Sequence, residues 1–355
     1  MKTAIIMGTR PEIIKLAPII EKISKRNCSV IFTGQHFDYQ MGLKFVDQLG
    51  LKKPDFTLKL SSSIPSMQMG EIIFKLSKIL QKINPDTTIV QGDTNTVLAS
   101  SICSLKLKIP ISHVESGLRS NDWRMSEEHN RIATDHISEL LFAPTVNSKN
   151  NLLSENVHGK ITVTGNTVID AISKYSRLSN KKSKIKIDDK DYVLLTLHRA
   201  ENVDDKRILT SIIRSIIESN QQIIFPIHPR TRKRLQEFDL IKKIQNCKMI
   251  KTVNSTGYFE MLELMKNSSF ILTDSGGIQE EATAPEIRKK SFVIRKTTDR
   301  PEAVTSGFSE LIGTNPRKIK LALKNGFDSK VPKKKSPFGN GKSTEKILNA
   351  INDRF

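Results

Sequence analysis

Carboxylates and arginines are interleaved in one segment of this chain, residues 113–131, which reads HVESGLRSNDWRMSEEHNR. Glu115 follows a short apolar strand pattern, while Glu127 and Glu128 open a predicted helix. Carboxylates beside arginines act as proton acceptors, as acids that share a proton, or as members of structural ion pairs. Acidic residues in the first turn of a helix also favour its dipole, which explains Glu127 and Glu128 without any chemistry. That explanation does not extend to Glu115.

Two more polar loops follow apolar strand patterns in the first half of the chain. The loop GTRPE, residues 8–12, has the Thr-x-x-Glu spacing of a capping box and a proline suited to a first helical turn. The helix start would present free N–H groups to an anion, with Arg10 and Lys15 beside them. Capping does not explain Arg10. In the loop QGDTN, residues 91–95, Asp93 or Thr94 is a candidate N-cap of the next helix.

Three polar loops follow apolar strand patterns in the second half. His198 and His228 each stand at a predicted strand end just before an arginine, where a histidine can serve as acid, base or phosphate donor, although single histidines are usually structural. The segment 274–282, DSGGIQEEA, leads from a strand through Ser-Gly-Gly into a helix, as in a diphosphate site. The segment is not GxGxxG, and no acidic residue follows the first turn of the chain at dinucleotide spacing, which argues against NAD.

Short apolar runs alternate with amphipathic stretches along the whole chain, which predicts βαβ units and parallel sheets. The first series of strands is predicted at 3–7, 30–33, 88–90, 111–114 and 161–164, with helices near 11–26, 38–49, 66–83, 94–107, 127–137 and 167–176. The second series of strands is predicted at 192–197, 223–227, 249–252, 270–273 and 292–294, and a final helix at 343–352. A lysine-rich hinge near 177–190 separates the two series. The predicted fold class is therefore α/β, with two Rossmann-like doubly wound domains.

The composition excludes several classes of protein. A chain of 355 residues with 37% apolar residues is long enough for two cored domains and too apolar to be disordered. No apolar run approaches the roughly 20 residues of a membrane span, and the first residues lack the flanks of a signal peptide. We therefore expect a cytoplasmic protein without a membrane partner. Three widely spaced cysteines form neither a disulfide framework nor a metal cluster.

The net charge of +20 suggests nucleic acid as a partner. The densest basic runs, residues 180–186 and 332–335, fall in predicted loops without interleaved aromatic residues, and aromatic residues make up only 6% of the chain. Stacking on bases is therefore not expected. A solvated lysine-rich surface is the favoured interpretation, with no nucleic-acid partner.

The order of these motifs resembles that of the non-hydrolysing UDP-N-acetylglucosamine 2-epimerase family. The chain carries, in sequence, GTRPE-x-x-K, QGDT, HVESGLRS with SEEHNR, TGNTVIDA, HRAEN, HPR, DSGGIQEEA and TTDRPEAV, within residues 1–315. The resemblance implies the glycosyltransferase-B architecture, in which two Rossmann-like domains enclose a cleft. It implies an N-terminal domain of residues 1–168, with helix 343–355 packed back on it, and a UDP-binding C-terminal domain of residues 169–342.

The resemblance also implies a reaction, the reversible conversion of UDP-N-acetylglucosamine to UDP-N-acetylmannosamine. The C2 proton is removed, UDP leaves C1 to give 2-acetamidoglucal, and UDP re-adds after reprotonation on the other face. Inversion needs proton transfer on two faces, for which the resemblance gives Asp93, Glu115 and Glu127. Arg10, Lys15 and His198 would stabilise the departing UDP. No cofactor and no metal is implied.

The implied binding residues lie mainly in the second half of the chain. For UDP they are Arg10, His198, His228, Arg230, Ser275, Gly276, Gly277, Glu281 as the ribose ligand, and Arg300. Gln35, His36 and Met41 resemble a region in which some members hold a second, activating UDP-N-acetylglucosamine; an ordinary strand-to-helix loop is the alternative there. A UDP-sugar substrate and a second copy of the chain, in a homodimer, are the implied partners.

The sequence departs from the family pattern at Ser116 and Ser126, where alanine and proline are usual, and in a slightly longer segment after EEA. Three alternatives therefore stay open at this point. One is the same chemistry on a UDP-2,3-diacetamido uronate sugar, although Gly-Leu-Arg at 117–119 favours the simpler sugar. The others are a hydrolysing epimerase, which releases free N-acetylmannosamine and UDP, and a glycosyltransferase of the same fold.

Overall fold

The computed structural model describes residues 1–24, 26–35, 39–185, 191–254 and 256–355, apart from the side chains of residues 39–41 and 43. The chain forms two compact units, one of residues 1–171 and 338–355 and the other of residues 172–337. Among the described residues, none of the helices combines the length and apolarity that crossing a membrane requires.

The first unit contains a seven-stranded parallel sheet in the order β3-β2-β1-β4-β5-β6-β7. Its strands are β1 (Thr3–Met7), β2 (Cys28–Phe32), β3 (Phe56–Thr57), β4 (Thr87–Gln91), β5 (Ile111–Val114), β6 (Leu140–Ala143) and β7 (Lys160–Val163). Its helices are α1 (Arg10–Lys22), α2 (Tyr39–Leu49), α3 (Pro65–Ile83), α4 (Asn95–Lys106), α5 (Ser126–His136), α6 (Val146–Ser154), the start of α7 (Thr167–Lys182), and α16 (Ser343–Asn352).

The second unit contains a six-stranded parallel sheet in the order β10-β9-β8-β11-β12-β13. Its strands are β8 (Val193–Thr196), β9 (Ile223–Pro226), β10 (Ile250–Val253), β11 (Phe270–Thr273), β12 (Ser291–Val293) and β13 (Ser309–Leu311). Its helices are α8 (Ala200–Val203), α9 (Lys206–Glu218), α10 (Pro229–Glu237), α11 (Ile241–Gln245), α12 (Tyr258–Asn267), α13 (Gly276–Ala282), α14 (Pro301–Thr305) and α15 (Pro316–Asn325), followed by a 3-10 turn at Gly326–Asp328.

In both sheets the strand order reverses at one point, between β1 and β4 in the first and between β8 and β11 in the second. Ligands of doubly wound sheets bind outside the carboxyl ends of the strands at this switch point. Strands β1 and β4 end at the loops 8–12 and 91–95, and strands β8 and β11 end at the loops 198–202 and 274–282. Four of the polar loops selected from the sequence therefore flank the two switch points. The predicted α/β class with two doubly wound sheets is confirmed.

The hydrophobic core explains why these segments form strands and helices. Strand β1 is buried along its whole length, as expected for a central parallel strand covered on both faces. Helix α3 presents Ile72, Leu76 and Leu80 at four-residue spacing, which places them on one face. That face packs with Ile6 and Val90 of the sheet in one buried cluster.

Several short elements were missed by the sequence analysis, among them β3, β6, α6 and β13. They are two to nine residues long, and short apolar runs give too little periodicity to separate strand from helix. The predicted hinge was wrong in its first part, because α7 continues to Lys182. Residues 177–182 contain no glycine or proline, and two lysines near the carboxyl end of a helix favour its dipole. The first residues of the basic run 180–186 are therefore helical.

The final helix, α16, packs within the first unit. The Asp170 carboxylate of α7 accepts hydrogen bonds from the backbone N–H groups of Ser343 and Thr344, at 3.2 and 2.8 Å. Lys22 of α1 pairs with Glu345 at 2.9 Å. These contacts join the end of the chain to the two helices that follow β1 and β7.

Candidate active site

Glu115 lies directly after β5 and is 7% exposed. Its carboxylate accepts hydrogen bonds from the Lys15 ammonium and, at 2.9 Å, from the side-chain amide of Asn166. Lys15 belongs to α1 and Asn166 precedes α7, so three parts of the first unit meet at this carboxylate. A buried carboxylate held by a cation and an amide donor, at the carboxyl edge of the sheet, can accept a proton and return it.

Asp93 follows β4, and one of its carboxylate oxygens lies 2.5 Å from an Arg131 guanidinium nitrogen. The Asn130 side chain donates to the Asp93 carbonyl oxygen at 2.9 Å. The N-cap of α4 is Thr94, whose hydroxyl accepts from the Val97 N–H at 3.4 Å. Thr94, and not Asp93, is therefore the N-cap of α4. The Asp93 carboxylate pairs with Arg131 instead.

Glu127 and Glu128 have different surroundings at the start of α5. Glu128 is 1% exposed and accepts from the Ser120 N–H and hydroxyl and from the Asn121 N–H, at 2.9 to 3.1 Å. It therefore fastens the loop before the helix. Glu127 is half-buried and accepts from the Ser126 hydroxyl at 3.1 Å. Of this pair, Glu127 has the more accessible carboxylate.

Glu12 connects the first two polar loops. Its buried carboxylate accepts from the Gly8 N–H at 2.5 Å and from the hydroxyls of Thr9 and Thr94 at 2.8 and 2.7 Å. Burial raises the pKa of Glu12 to about 7, against the opposing effect of these hydrogen bonds. One half of the predicted capping box is wrong, because the Thr9 hydroxyl donates to Glu12 and does not cap the helix, while Glu12 does accept from the Thr9 backbone N–H. Glu12 instead ties the start of α1 to the start of α4.

Gly8 and Arg10 each contact a neighbouring part of the first unit. A Cβ atom on Gly8 would lie 2.2 Å from the Thr96 hydroxyl and 2.4 Å from the Thr33 hydroxyl, so the glycine lets these loops pack together. The Arg10 guanidinium carbon lies 4.4 Å from the centre of the Phe45 ring of α2, a cation–π distance. Arg10 is thus held at the rim of the switch point.

The region predicted to hold a second nucleotide sugar is described only in part. The Gln35 side-chain oxygen accepts from the Thr96 N–H and hydroxyl, both at 2.8 Å. His36 and the side chain of Met41 lie outside the described residues. Gln35 therefore joins the first polar loops, and a regulatory role for these three residues stays a prediction.

In the second unit, Asp274 positions His198. Asp274 is fully buried, and its carboxylate accepts from the His198 and Arg199 N–H groups at 3.0 and 2.9 Å. One oxygen lies 3.2 Å from Nδ1 of the His198 ring. Burial by itself would raise the pKa of Asp274, but the hydrogen bonds and charge of His198 outweigh it and lower that pKa. An ionised Asp274 therefore fixes the ring and directs Nε2 away from itself.

The Ser-Gly-Gly segment forms the start of α13, a helix of seven residues. The Ser275 hydroxyl caps this helix by accepting a backbone N–H at 3.4 Å. A Cβ atom on Gly276 would lie 3.1 Å from the Asp299 carboxylate, whereas one on Gly277 would meet nothing closer than 3.9 Å. Glu281 is half-buried on the same helix. The open side of Gly277 is where a ligand can approach the backbone.

Arg300 is 5% exposed and pairs with two carboxylates. Its guanidinium contacts Glu280 of α13 and lies 2.7 Å from the Asp299 carboxylate. This arrangement anchors α13 to the loop after β12. Contact between Arg300 and UDP stays a prediction.

His228 and Arg230 stand at the start of α10. The Nδ1 atom of His228 accepts from the Arg230 N–H at 3.3 Å and caps the helix. The ring centre of His228 lies 5.4 Å from that of His198. Arg230 pairs with Asp204, and the hydrogen bond from Arg230 lowers the pKa of the Asp204 carboxyl group. The two histidines that follow β8 and β9 therefore lie together, as their positions suggested.

Three residues of these clusters were not predicted as site residues: Glu12, Asn166 and Asp274. Each stands in a motif that the sequence analysis quoted, and Glu12 and Asp274, but not Asn166, lie within one helical turn of a selected residue. One sequence cannot separate a carboxylate that orients a neighbour from a helix cap, because both occur at the ends of strands. The signal that the sequence offers for these three residues is their position shortly after the end of a predicted strand.

Two doubly wound sheets, each with polar and charged side chains gathered at its switch point, define an α/β protein of the nucleotide-binding Rossmann type. A family model described as UDP-N-acetylglucosamine 2-epimerase matches residues 20–352. The UDP-N-acetylglucosamine 2-epimerase of Methanocaldococcus jannaschii is 46% identical, over 99% of this chain and 99% of the relative. The UDP-2,3-diacetamido-2,3-dideoxy-D-glucuronate 2-epimerase of Pseudomonas aeruginosa is 33% identical, over 98% of each chain.

Solved structures agree with these relatives. A crystal structure of the Methanocaldococcus jannaschii UDP-GlcNAc 2-epimerase in complex with UDP-GlcNAc and UDP matches this chain with a TM-score of 0.91 at 44% identity, covering 99% of this chain and all of the other. This chain therefore belongs to the UDP-N-acetylglucosamine 2-epimerase family. The family predicted from the motifs is confirmed, and with it the prediction of an isomerase.

Proposed function

We propose that this enzyme interconverts UDP-N-acetylglucosamine and UDP-N-acetylmannosamine by inverting C2, without hydrolysing the nucleotide sugar. The observation that carries the proposal is the pair of fixed carboxylates, Asp93 and Glu115, at neighbouring strand ends of the first unit. They occur in a chain that is 46% identical to an enzyme named for this activity. The M. jannaschii enzyme has also been captured with UDP-GlcNAc and UDP.

The reaction proceeds by elimination and re-addition. A carboxylate takes the proton from C2, the C1–C2 double bond forms, and the C1–oxygen bond breaks so that UDP leaves with its electron pair. The 2-acetamidoglucal then receives a proton at C2 on the opposite face while UDP re-adds at C1. Because the proton leaves one face and arrives on the other, acid–base groups are needed on both sides of the sugar.

We assign proton transfer to Asp93, Glu115 and Glu127. Lys15 and Asn166 stabilise the ionised form of Glu115, which keeps it ready to act as a base. Arg131 pairs with the Asp93 carboxylate and holds it in place. Glu127, half-buried at the start of α5, supplies a third carboxyl group.

We assign UDP binding to the second unit. His198, held by Asp274, is placed to donate a hydrogen bond from Nε2 to a diphosphate oxygen and to stabilise charge as UDP departs. Ser275, Gly276 and Gly277 would contact the same diphosphate through the open backbone at Gly277. Glu281 is the proposed ribose ligand, and Arg10 is a further proposed UDP contact.

Product analysis distinguishes this function from its alternatives. Purified enzyme incubated with UDP-N-acetylglucosamine is expected to give UDP-N-acetylmannosamine as the only new compound on anion-exchange chromatography. Free N-acetylmannosamine together with UDP would instead indicate a hydrolysing epimerase. A product formed only after addition of a sugar acceptor would indicate a glycosyltransferase.

The second candidate substrate is a UDP-2,3-diacetamido uronate sugar, which the Pseudomonas aeruginosa relative is named for. That relative is 33% identical, against 46% for the relative named for UDP-N-acetylglucosamine. We therefore propose the simpler sugar. A larger kcat/KM for the diacetamido uronate in a direct comparison would reverse this assignment.

We also propose that the enzyme is a cytoplasmic homodimer. Three apolar side chains on or just before α3, Ile64, Met67 and Phe74, are 52 to 63% exposed, and Leu105 on the neighbouring α4 is 43% exposed. Such a face suits contact with a second copy. Light scattering should give twice the chain mass for the wild type and the single chain mass for Phe74→Glu. Leu153→Glu, an exposed position on α6, is the control that should stay dimeric.

A further inference from the structure

Two fully buried side chains of the first unit, His113 and Asp135, have no part in the proposed reaction. Both are 0% exposed. His113 lies on β5 and Asp135 near the end of α5, and Nδ1 of His113 is 2.7 Å from one Asp135 oxygen. The other ring nitrogen, Nε2, is 2.8 Å from the Gly92 carbonyl oxygen. Burying an ionisable pair costs free energy, so the contacts of this pair indicate its role.

The His113 ring is held by oxygen atoms on two sides. A carbonyl oxygen only accepts hydrogen bonds, so Nε2 carries a proton. Asp135 also accepts from the Gly117 N–H at 3.1 Å and pairs with an Arg119 nitrogen at 2.8 Å, which keeps its carboxylate ionised. Nδ1 faces this carboxylate, so each ring nitrogen of His113 lies opposite a hydrogen-bonding oxygen. Burial would raise the pKa of Asp135, but His113 and Arg119 outweigh it and lower that pKa.

The Asp135 carboxylate holds the loop that carries Glu115. Glu115 has a φ of +72°, in the left-handed region that costs a non-glycine residue free energy. Two residues later, Gly117 has a φ of +78°, and a Cβ atom there would lie 2.3 Å from the Ser148 carbonyl oxygen. The bond from Gly117 to Asp135 fixes this tight turn. Strain of this kind persists only where the surroundings determine the backbone.

The His113 ring holds the loop that carries Asp93. Its partner, Gly92, immediately precedes Asp93 and has a φ of +84°. The Gly92 N–H donates to the Val114 carbonyl oxygen at 3.0 Å, so Gly92 is bound on both sides to the segment around β5. One buried pair of side chains therefore contacts the backbone of both carboxylate loops.

We propose that His113 and Asp135 form a positioning dyad that fixes the loops of Asp93 and Glu115 relative to each other. The two carboxylates are then in place for proton transfer before the substrate arrives. This inference rests on the proposed epimerase function. It assigns a role to two residues that touch neither the sugar nor UDP.

The test uses two variants, the isosteric Asp135→Asn and the smaller His113→Asn. Asp135→Asn removes the carboxylate charge beside the His113 ring, and His113→Asn keeps a donor near the Nδ1 position but loses the bond to Gly92. Each is expected to lower kcat about 10- to 100-fold, because a displacement of about 1 Å can cost that much. KM and the dissociation constant of UDP, from calorimetry, are expected to stay at the wild-type values. The rate of deuterium uptake at C2 should fall in parallel with kcat.

The matched control is Asp55→Asn. Asp55 accepts from the Val30 N–H at 2.8 Å and pairs with Lys52, so it is a structural carboxylate of the same unit away from the two loops. Its thermal stability should fall while kcat stays unchanged. Wild-type kcat in a folded Asp135→Asn or His113→Asn variant would overturn the dyad. Equal loss of kcat in Asp55→Asn would also overturn it. Absence of C2 exchange in the wild type would instead contradict the proposed function.

Discussion

Glu115 combines an unfavourable backbone conformation with a buried, charge-paired carboxylate. Replacing a buried ion pair by apolar residues is often neutral for stability, so pairing Lys15 with Glu115 is not explained by stability alone. A strained residue at the end of a central strand, with its charge fixed, is the pattern expected of a group that transfers protons. Asp93 fits this pattern less closely, because its carboxylate is paired with Arg131 but is less buried than that of Glu115.

The carboxylates can be tested one at a time. Asp93→Asn, Glu115→Gln and Glu127→Gln are each expected to lower kcat by a factor of about 10² to 10⁴, the usual contribution of a general acid or base. The affinity for UDP should survive, because the proposed UDP contacts lie mainly in the second unit. Steady-state kinetics and calorimetry measure the two effects. Glu21→Gln, an exposed position on α1, is the control. If a variant keeps kcat within a few-fold of the wild-type value, the substituted carboxylate has no chemical role.

His198 should affect both binding and turnover. His198→Ala is expected to weaken UDP binding about tenfold, which corresponds to one hydrogen bond to a charged group, and to lower kcat as well. Asp274→Asn should have a smaller effect in the same direction, since the ring loses its orientation but not its donor. Asp205→Asn changes only the cap of α9 and serves as the control. Unchanged UDP affinity in His198→Ala would remove this residue from the diphosphate site.

At the scale of elements, the sequence was informative where strands are apolar and end in polar loops. Strands β1, β5 and β11 were predicted at their observed bounds, because each is a buried apolar run followed by a residue that cannot stay in the core. Strand β6 was missed although it is equally apolar, since no polar loop separates it clearly from α5. Partners that meet from distant parts of the chain, such as Asn166 and Glu115, leave no mark in local spacing.

The junction of α1 and α4 gives a prediction about pH. Burial raises the pKa of Glu12 to about 7, so the folded state favours the protonated carboxyl group. The stabilisation from the protonated Glu12 carboxyl group is fully present at pH values below its pKa in the unfolded chain. It is lost as pH rises through the pKa of Glu12 in the folded protein. Between about pH 4.5 and 7 the loss is on the order of 3 kcal/mol. Chemical denaturation should show this decline in the wild type and not in Glu12→Gln. Parallel curves for the two proteins would contradict it.

At the scale of the whole molecule, the charge is unevenly distributed. Residues 172–337 contain 34 lysines and arginines against 19 aspartates and glutamates, which places +15 of the net +20 in the second unit. The proposed substrate carries a negatively charged diphosphate. A positive unit raises the local concentration of such a ligand and speeds its encounter.

This steering predicts a dependence on salt. The value of kcat/KM for UDP-N-acetylglucosamine should fall as ionic strength rises, because the field is screened beyond about 8 Å at physiological salt. The value of kcat at saturating substrate should change little. Replacing Lys333, Lys334 and Lys335 by alanine should lower kcat/KM at low salt and flatten its salt dependence. A wild-type kcat/KM that is independent of salt would mean that the charge serves another purpose.

The most direct measurement of the central claim is proton NMR of UDP-N-acetylglucosamine with the enzyme in D2O, without added cofactor. UDP-N-acetylmannosamine is expected to appear, with deuterium in place of the proton at C2 and no free sugar released. Formation of the product with the original proton retained at C2 would contradict proton transfer through the carboxylates. No product and no exchange would contradict the proposed reaction itself.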